Sequence, residues 1–80
     1  MSVGQSLDSR ILAADLRYGD FASTHEALGV ACEEWDEFRD AIRANDLPAI
    51  QRECLDLAAV LVRLASQITT SDALKKLSVK

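Results

Sequence analysis

The chain has 80 residues, with thirteen acidic side chains against nine basic ones, a formal charge of −4, 49% hydrophobic residues, three glycines and one proline. That length fits one domain, and that composition excludes a disordered tail. The acidic balance excludes a protein that coats DNA or RNA through a basic stripe, but not a nucleotide ligand, since a divalent cation reverses the sign of the local field.

A domain of this size buries a thin core and usually needs a disulfide, a metal or a partner subunit to supplement it. Cys32 and Cys54 sit inside helical apolar patterns and read as small buried hydrophobes rather than a disulfide pair. The opening MSVGQSLDSR has no apolar h-region, and no apolar run is long enough to span a bilayer. The expectation is therefore a cytoplasmic protein in a reducing compartment, with no membrane partner. Metal binding and self-association remain as the means of reinforcement.

No segment shows the two-residue alternation of a half-buried strand, and the pattern predicts an all-α bundle of about four helices. The first covers residues 6–17, with Leu7, Ile11, Leu12 and Leu16 at helical spacing, and Tyr18-Gly19-Asp20 breaks it. The second covers 24–45. Ser23 and Glu26 have capping-box spacing at its start, and Leu28, Ala31, Trp35, Phe38 and Ile42 form its apolar stripe. Asn45 to Pro48 make a short turn, with Asp46 as N-cap of a third helix over 47–68. The main stripe of that helix is Ile50, Cys54, Leu57, Leu61, Leu64 and Ile68. A second apolar face carries Leu55, Ala58, Ala59 and Val62. A helix apolar almost all round is buried on several sides, which predicts a central place in a homo-oligomer. Thr69 to Ser71 end it, and residues 72–77 form one or two last turns. The core is the antiparallel hairpin of the second and third helices.

Two acidic pairs at i, i+3 spacing stand on that hairpin: Glu34 with Glu37, and Glu53 with Asp56. Glu37 lies eight residues before Asn45 and Glu53 seven after Asp46, while Glu34 and Asp56 lie eleven and ten away. At about 1.5 Å per residue, opposite acids are level to within roughly one residue's rise. Each pair also stands one residue before a pair of stripe residues (Trp35 and Phe38, Cys54 and Leu57), and equal offsets on antiparallel helices point to one side. The four carboxylates should converge. Their mutual repulsion calls for a cation, and hard oxygen ligands suit magnesium, or manganese. Asp56 is the one charge in an otherwise apolar segment between Glu53 and Arg63. It is expected either to bind metal or to pair with Arg39, Arg43 or Arg52.

The segments Thr24-His25-Glu26-Ala27-Leu28, Glu33-Glu34-Trp35-Asp36-Glu37, Asp40-Ala41-Ile42 and Glu53-Cys54-Leu55-Asp56 together resemble the core of the MazG-like pyrophosphohydrolases. That family has a Thr-His-Glu-Ser-Leu-like entry, a Glu-Glu-x-x-Glu motif and a later Glu-x-x-Asp motif. The resemblance spans residues 23–65. It implies a helical domain that hydrolyses a nucleoside triphosphate to the monophosphate and pyrophosphate with magnesium. It also implies Glu34, Glu37, Glu53 and Asp56 as metal ligands and catalytic groups, with Glu33 or one of the four accepting the proton of the attacking water. Leu55 stands where the family often has glycine, Arg52 where a further acid is common, and Tyr18-Gly19-Asp20-Phe21 where a tryptophan-containing approach is usual.

Other residues carry two readings. His25 fits a first-turn structural position better than a phosphate contact, and Trp35 fits the core better than a base-stacking position. Tyr18 and Phe21 are the stronger stacking candidates. Arg52, Arg63, Lys75 and Lys76 read as solvated cations before they read as phosphate contacts. Two alternatives to the enzyme remain: a non-catalytic MazG-like oligomerisation or regulatory module, and a plain helical interaction protein.

Overall fold

The structure is a computed structural model that describes residues 2–70, with Thr70 described in its backbone only. It is all-α: α1 is Val3–Tyr18, α2 is Thr24–Ala44 and α3 is Leu47–Thr70, and no strand occurs among the described residues. The final turns expected over 72–77 lie outside the described residues. No helix among the described residues is long and apolar enough to cross a membrane.

The helix ends follow from local chemistry. α1 begins earlier than its apolar spacing suggested because Ser2 and Gln5 form a reciprocal capping box. It ends where Gly19 turns at φ 69°, a backbone conformation that glycine adopts without a Cβ penalty. At the start of α2 the Ser23 hydroxyl accepts from the Glu26 amide. The Glu26 carboxylate, however, accepts from Ala22, one residue before the position a reciprocal box requires. Asn45 is the left-handed C-cap of α2 (φ 53°), returning its amide to Ile42. Asp46 then caps α3 by accepting from the Ala49 amide at 3.2 Å. The two-residue connection makes α2 and α3 antiparallel neighbours, and α3 is the central helix, packed on α2 along one side and on α1 along another.

The buried faces are rotated from the predicted stripes. In α2 the buried positions are Ala27 and Ala41, and in α3 they are Ala59, Val60, Arg63 and Gln67. Leu28, Trp35, Ile42 and Leu61 are exposed instead, with Trp35 at 47%. The reason is steric. Two helices of one hairpin approach most closely where side chains are small, so alanines occupy the seam and the larger apolar groups are left outside. Trp35 is thus not a core residue of the single chain, and it lies against Phe38 with ring centroids 5.5 Å apart. Cys32 and Cys54 are free thiols and exposed, not buried.

A small core of Phe21, Ala27 and Val60, with Val30, Ala31 and Leu64 against it, closes the end of the hairpin where α2 starts. Arg63, only 5% exposed, ties this end together. Its Nε donates to Asp15 at 2.7 Å and its Nη2 to the Gly19 carbonyl at 2.6 Å, while its guanidinium lies 4.7 Å from the centre of the Phe21 ring. Gln67 accepts from the Phe21 amide at 2.9 Å. Arg63 is therefore not a solvated cation. It and Gln67 fasten the α1–α2 connection to α3.

Candidate metal centre

The rotation that leaves Trp35 outside turns Glu34 and Glu53 inward. Oxygens of Glu34, Glu37 and Glu53 lie within 4.8 Å of one another across the α2–α3 seam. One oxygen of Glu34 and one of Glu53 are buried with no hydrogen-bond partner. A buried carboxylate oxygen without a donor costs free energy, so these atoms fit a cation that the side chains would share. Three hard oxygen donors at this spacing suit magnesium or manganese, with water or phosphate oxygens filling the remaining positions.

The electrostatics of the group have the same origin. Glu34 is pushed up to about 7, first by burial and then by the charges of Glu37, Asp56 and Glu53. Glu53 is also raised, first by burial and then by the adjoining carboxylates of Glu37 and Asp56, while Arg52 pulls in the opposite direction. Part of the cluster therefore holds its proton well above the usual carboxylate range.

Asp56 stands beside the other three but differs from them. It is close enough to raise both glutamates, yet its own Oδ1 accepts from Arg10 Nε at 2.9 Å, with side chains 39% and 32% exposed. Of the four expected acids, the structure brings three together with no ion-pair partner among the described residues and gives the fourth an arginine. That arginine is none of the three expected from the sequence. Arg39 pairs with Asp36 on its own helix, and the partner of Asp56 comes from α1, 46 positions away. Helical spacing inside the hairpin carries no trace of a contact made by a third helix.

A cleft of about 710 Å³ opens beside Glu34 and Asp56, walled by α1, the α1–α2 connection and the facing sides of α2 and α3. Arg10, Tyr18, Phe21 and Glu33 line it. Its size suits a small organic ligand. Tyr18, the last residue of α1, is exposed at its edge, with the Arg17 guanidinium 5.3 Å from the ring centre. Phe21, by contrast, is buried beneath Arg63 and is a core residue rather than a free stacking platform. His25 is exposed in the first turn of α2, and Arg52 is exposed near Glu53 on α3. Lys75 and Lys76 lie outside the described residues. No protein-family model, no curated protein and no solved structure matches this chain.

Proposed function

We propose that this chain is a magnesium-dependent nucleoside triphosphate pyrophosphohydrolase of the MazG-like kind, working in the cytoplasm as a homo-oligomer (a dimer or a dimer of dimers). The observation that carries the reading is the set of Glu34, Glu37 and Glu53 oxygens within 4.8 Å, two of these residues having a buried and unpartnered oxygen. An adjoining cleft of about 710 Å³ has room for the nucleoside. Magnesium, when bound, supplies charge neutralisation for phosphate oxygens and acidifies water; manganese would serve the same donors.

In this reading Glu34, Glu37 and Glu53 would hold the cation and Asp56 would complete the set. Glu33, exposed on the cleft wall one position before Glu34, takes the proton of the water that attacks the α-phosphorus as the α–β phosphoanhydride bond breaks and pyrophosphate leaves. The wall formed by α1 and the α1–α2 connection shields the reacting phosphates from bulk water. The exposed apolar groups Leu28, Trp35 and Ile42 on α2 and Leu61 on α3 support a second copy as the partner. Packing of the copies through these faces completes a bundle of about four helices. Neither a nucleic-acid polymer nor a membrane is a partner.

The Arg10–Asp56 ion pair favours a second reading, a plain helical interaction protein in which Asp56 is structural. That reading gives no use to the three glutamates. A screen of the common nucleoside triphosphates with magnesium, measuring released pyrophosphate, decides between them. Turnover that disappears with chelator is the expected result. Absence of turnover for every nucleotide would remove the enzyme and leave the non-catalytic module or the interaction protein.

A further inference from the structure

Arg10 has a position that the fold does not require. α1 places no residue in the core and packs on α3 rather than α2. Its deepest polar attachment, Asp15 to the buried Arg63, lies away from the acidic cluster. Arg10 alone reaches that cluster, through one hydrogen bond from Nε to Asp56. Asp56 is its only hydrogen-bond partner among the described residues. The side chain also has open space on both sides. It lines the 710 Å³ cleft together with Glu34 and Asp56, and a second hollow of about 250 Å³ against Arg52 and Leu55 of α3.

We infer that Arg10 is an internal counter-ion for Asp56, displaced when a divalent cation enters the cluster and then available to bind the phosphate end of the substrate from the cleft. The inference rests on the cation-site reading given above. The physical reason is competition for one carboxylate. A cation held by Glu34, Glu37 and Glu53 attracts Asp56 as a further oxygen donor and repels the guanidinium that occupies it. A partly exposed ion pair is weak enough to yield. The freed guanidinium has a planar fork of N–H donors suited to phosphate oxygens, and the cleft it lines is where those oxygens would sit. Arg10 thereby links cation loading to substrate binding, and in the metal-free protein it offsets part of the cluster's repulsion.

The test is a pair of affinities with opposite expected signs. In Arg10→Gln, magnesium alone should bind roughly two- to fivefold more tightly than in the wild type, because its competitor is gone. Inorganic tripolyphosphate in saturating magnesium should bind about tenfold more weakly, because a charge-assisted contact is lost. Both are read by calorimetry, without turnover. Asp15→Asn loosens α1 at its other attachment and should leave both affinities as they are. In the wild-type protein, which carries no folding risk, the Arg10 Nε–H resonance should move as magnesium saturates the site. Magnesium affinity that is unchanged or weaker in Arg10→Gln overturns the inference, as does an Nε–H signal indifferent to saturating magnesium. If magnesium binds neither protein, the cation site itself is wrong and the inference falls with it. If it binds both equally, the inference alone fails.

Discussion

Glu34 holds its proton well above the ordinary carboxylate range, and that proton has a measurable consequence. Folded, its carboxyl is pushed up to about 7 from an ordinary 4.5 by burial and by three neighbouring acids. Between those pH values the folded chain binds more protons than the unfolded one, so this group's contribution favours folding below 4.5 and is lost as pH rises through about 7. The metal-free protein should therefore have a higher urea midpoint at pH 5 than at pH 8, and Glu34→Gln should flatten that difference. Magnesium reverses the sign, because a bound cation favours the ionised carboxylate; the stabilisation it confers should grow from pH 5 to pH 8. Asp56 behaves differently because it is neither deeply buried nor alone. Its ion pair with Arg10 is partly exposed, so Asp56→Asn should cost roughly 1 kcal/mol or less in the metal-free protein, as read by denaturant titration. Pyrophosphate release should nonetheless fall by about a hundredfold or more, since metal affinity depends on the charge of such groups. A loss of roughly 3–5 kcal/mol without loss of turnover, the outcome for an indispensable buried pair, would remove Asp56 from the cation site.

Among the helices, α1 is the one held least by apolar burial and most by polar attachment. It contributes no buried residue, and the contacts that fix its end are those of Arg63 with Asp15, the Gly19 carbonyl and the Phe21 ring. Arg63→Met keeps the apolar stem and discards the hydrogen bonds and the cation–π contact. The expected cost is roughly 1–3 kcal/mol, because Asp15, half exposed, is left in water rather than stranded in the core. Hydrogen exchange should quicken in α1 and in the 19–23 connection, while the α2–α3 hairpin keeps its protection. Loss of protection spread evenly over all three helices would mean that Arg63 supports the whole core instead of one attachment.

The molecule as a whole leaves unusually large apolar groups in water. Leu28, Trp35 and Ile42 recur every seven positions along the outer side of α2, and Leu61 is more than half exposed on α3. Exposed apolar patches of this kind mark contact surfaces, and the proposed homo-oligomer would cover this one. Light scattering at micromolar concentration should give at least a dimer mass. Trp35→Glu should shift it to the monomer without lowering the helix content of the hairpin. Trp35 is the only tryptophan, so its emission should move to shorter wavelength as the protein is concentrated. A monomer with unshifted emission would leave the outer face without the partner proposed for it.

Much of this arrangement was legible in the residues alone. Of the four helical segments expected from apolar spacing and caps, three are the described helices, with α2 and α3 within two residues of their observed ends, and the fourth lies outside the described residues; a two-residue turn sufficed to set α2 and α3 antiparallel. The matched heights of Glu34 and Glu37 with Glu53 and Asp56 put the acids opposite one another, because the rise of a helix is the same for every sequence. Which face of each helix turned inward was not legible. Periodicity locates an apolar side but does not tell a seam within the chain from a surface left open, and the close approach of alanines rotated the seam by about one residue. The ends of long-range polar contacts were beyond the sequence for a related reason. Arg10 with Asp56 and Arg63 with Asp15 join positions 46 and 48 apart, and no local rule selects among the available partners. Only the packing of α1 across α3 decided that Asp56 has an ion-pair partner while Glu34, Glu37 and Glu53 have none among the described residues, because an arginine side chain reaches only the carboxylates that its own helix passes.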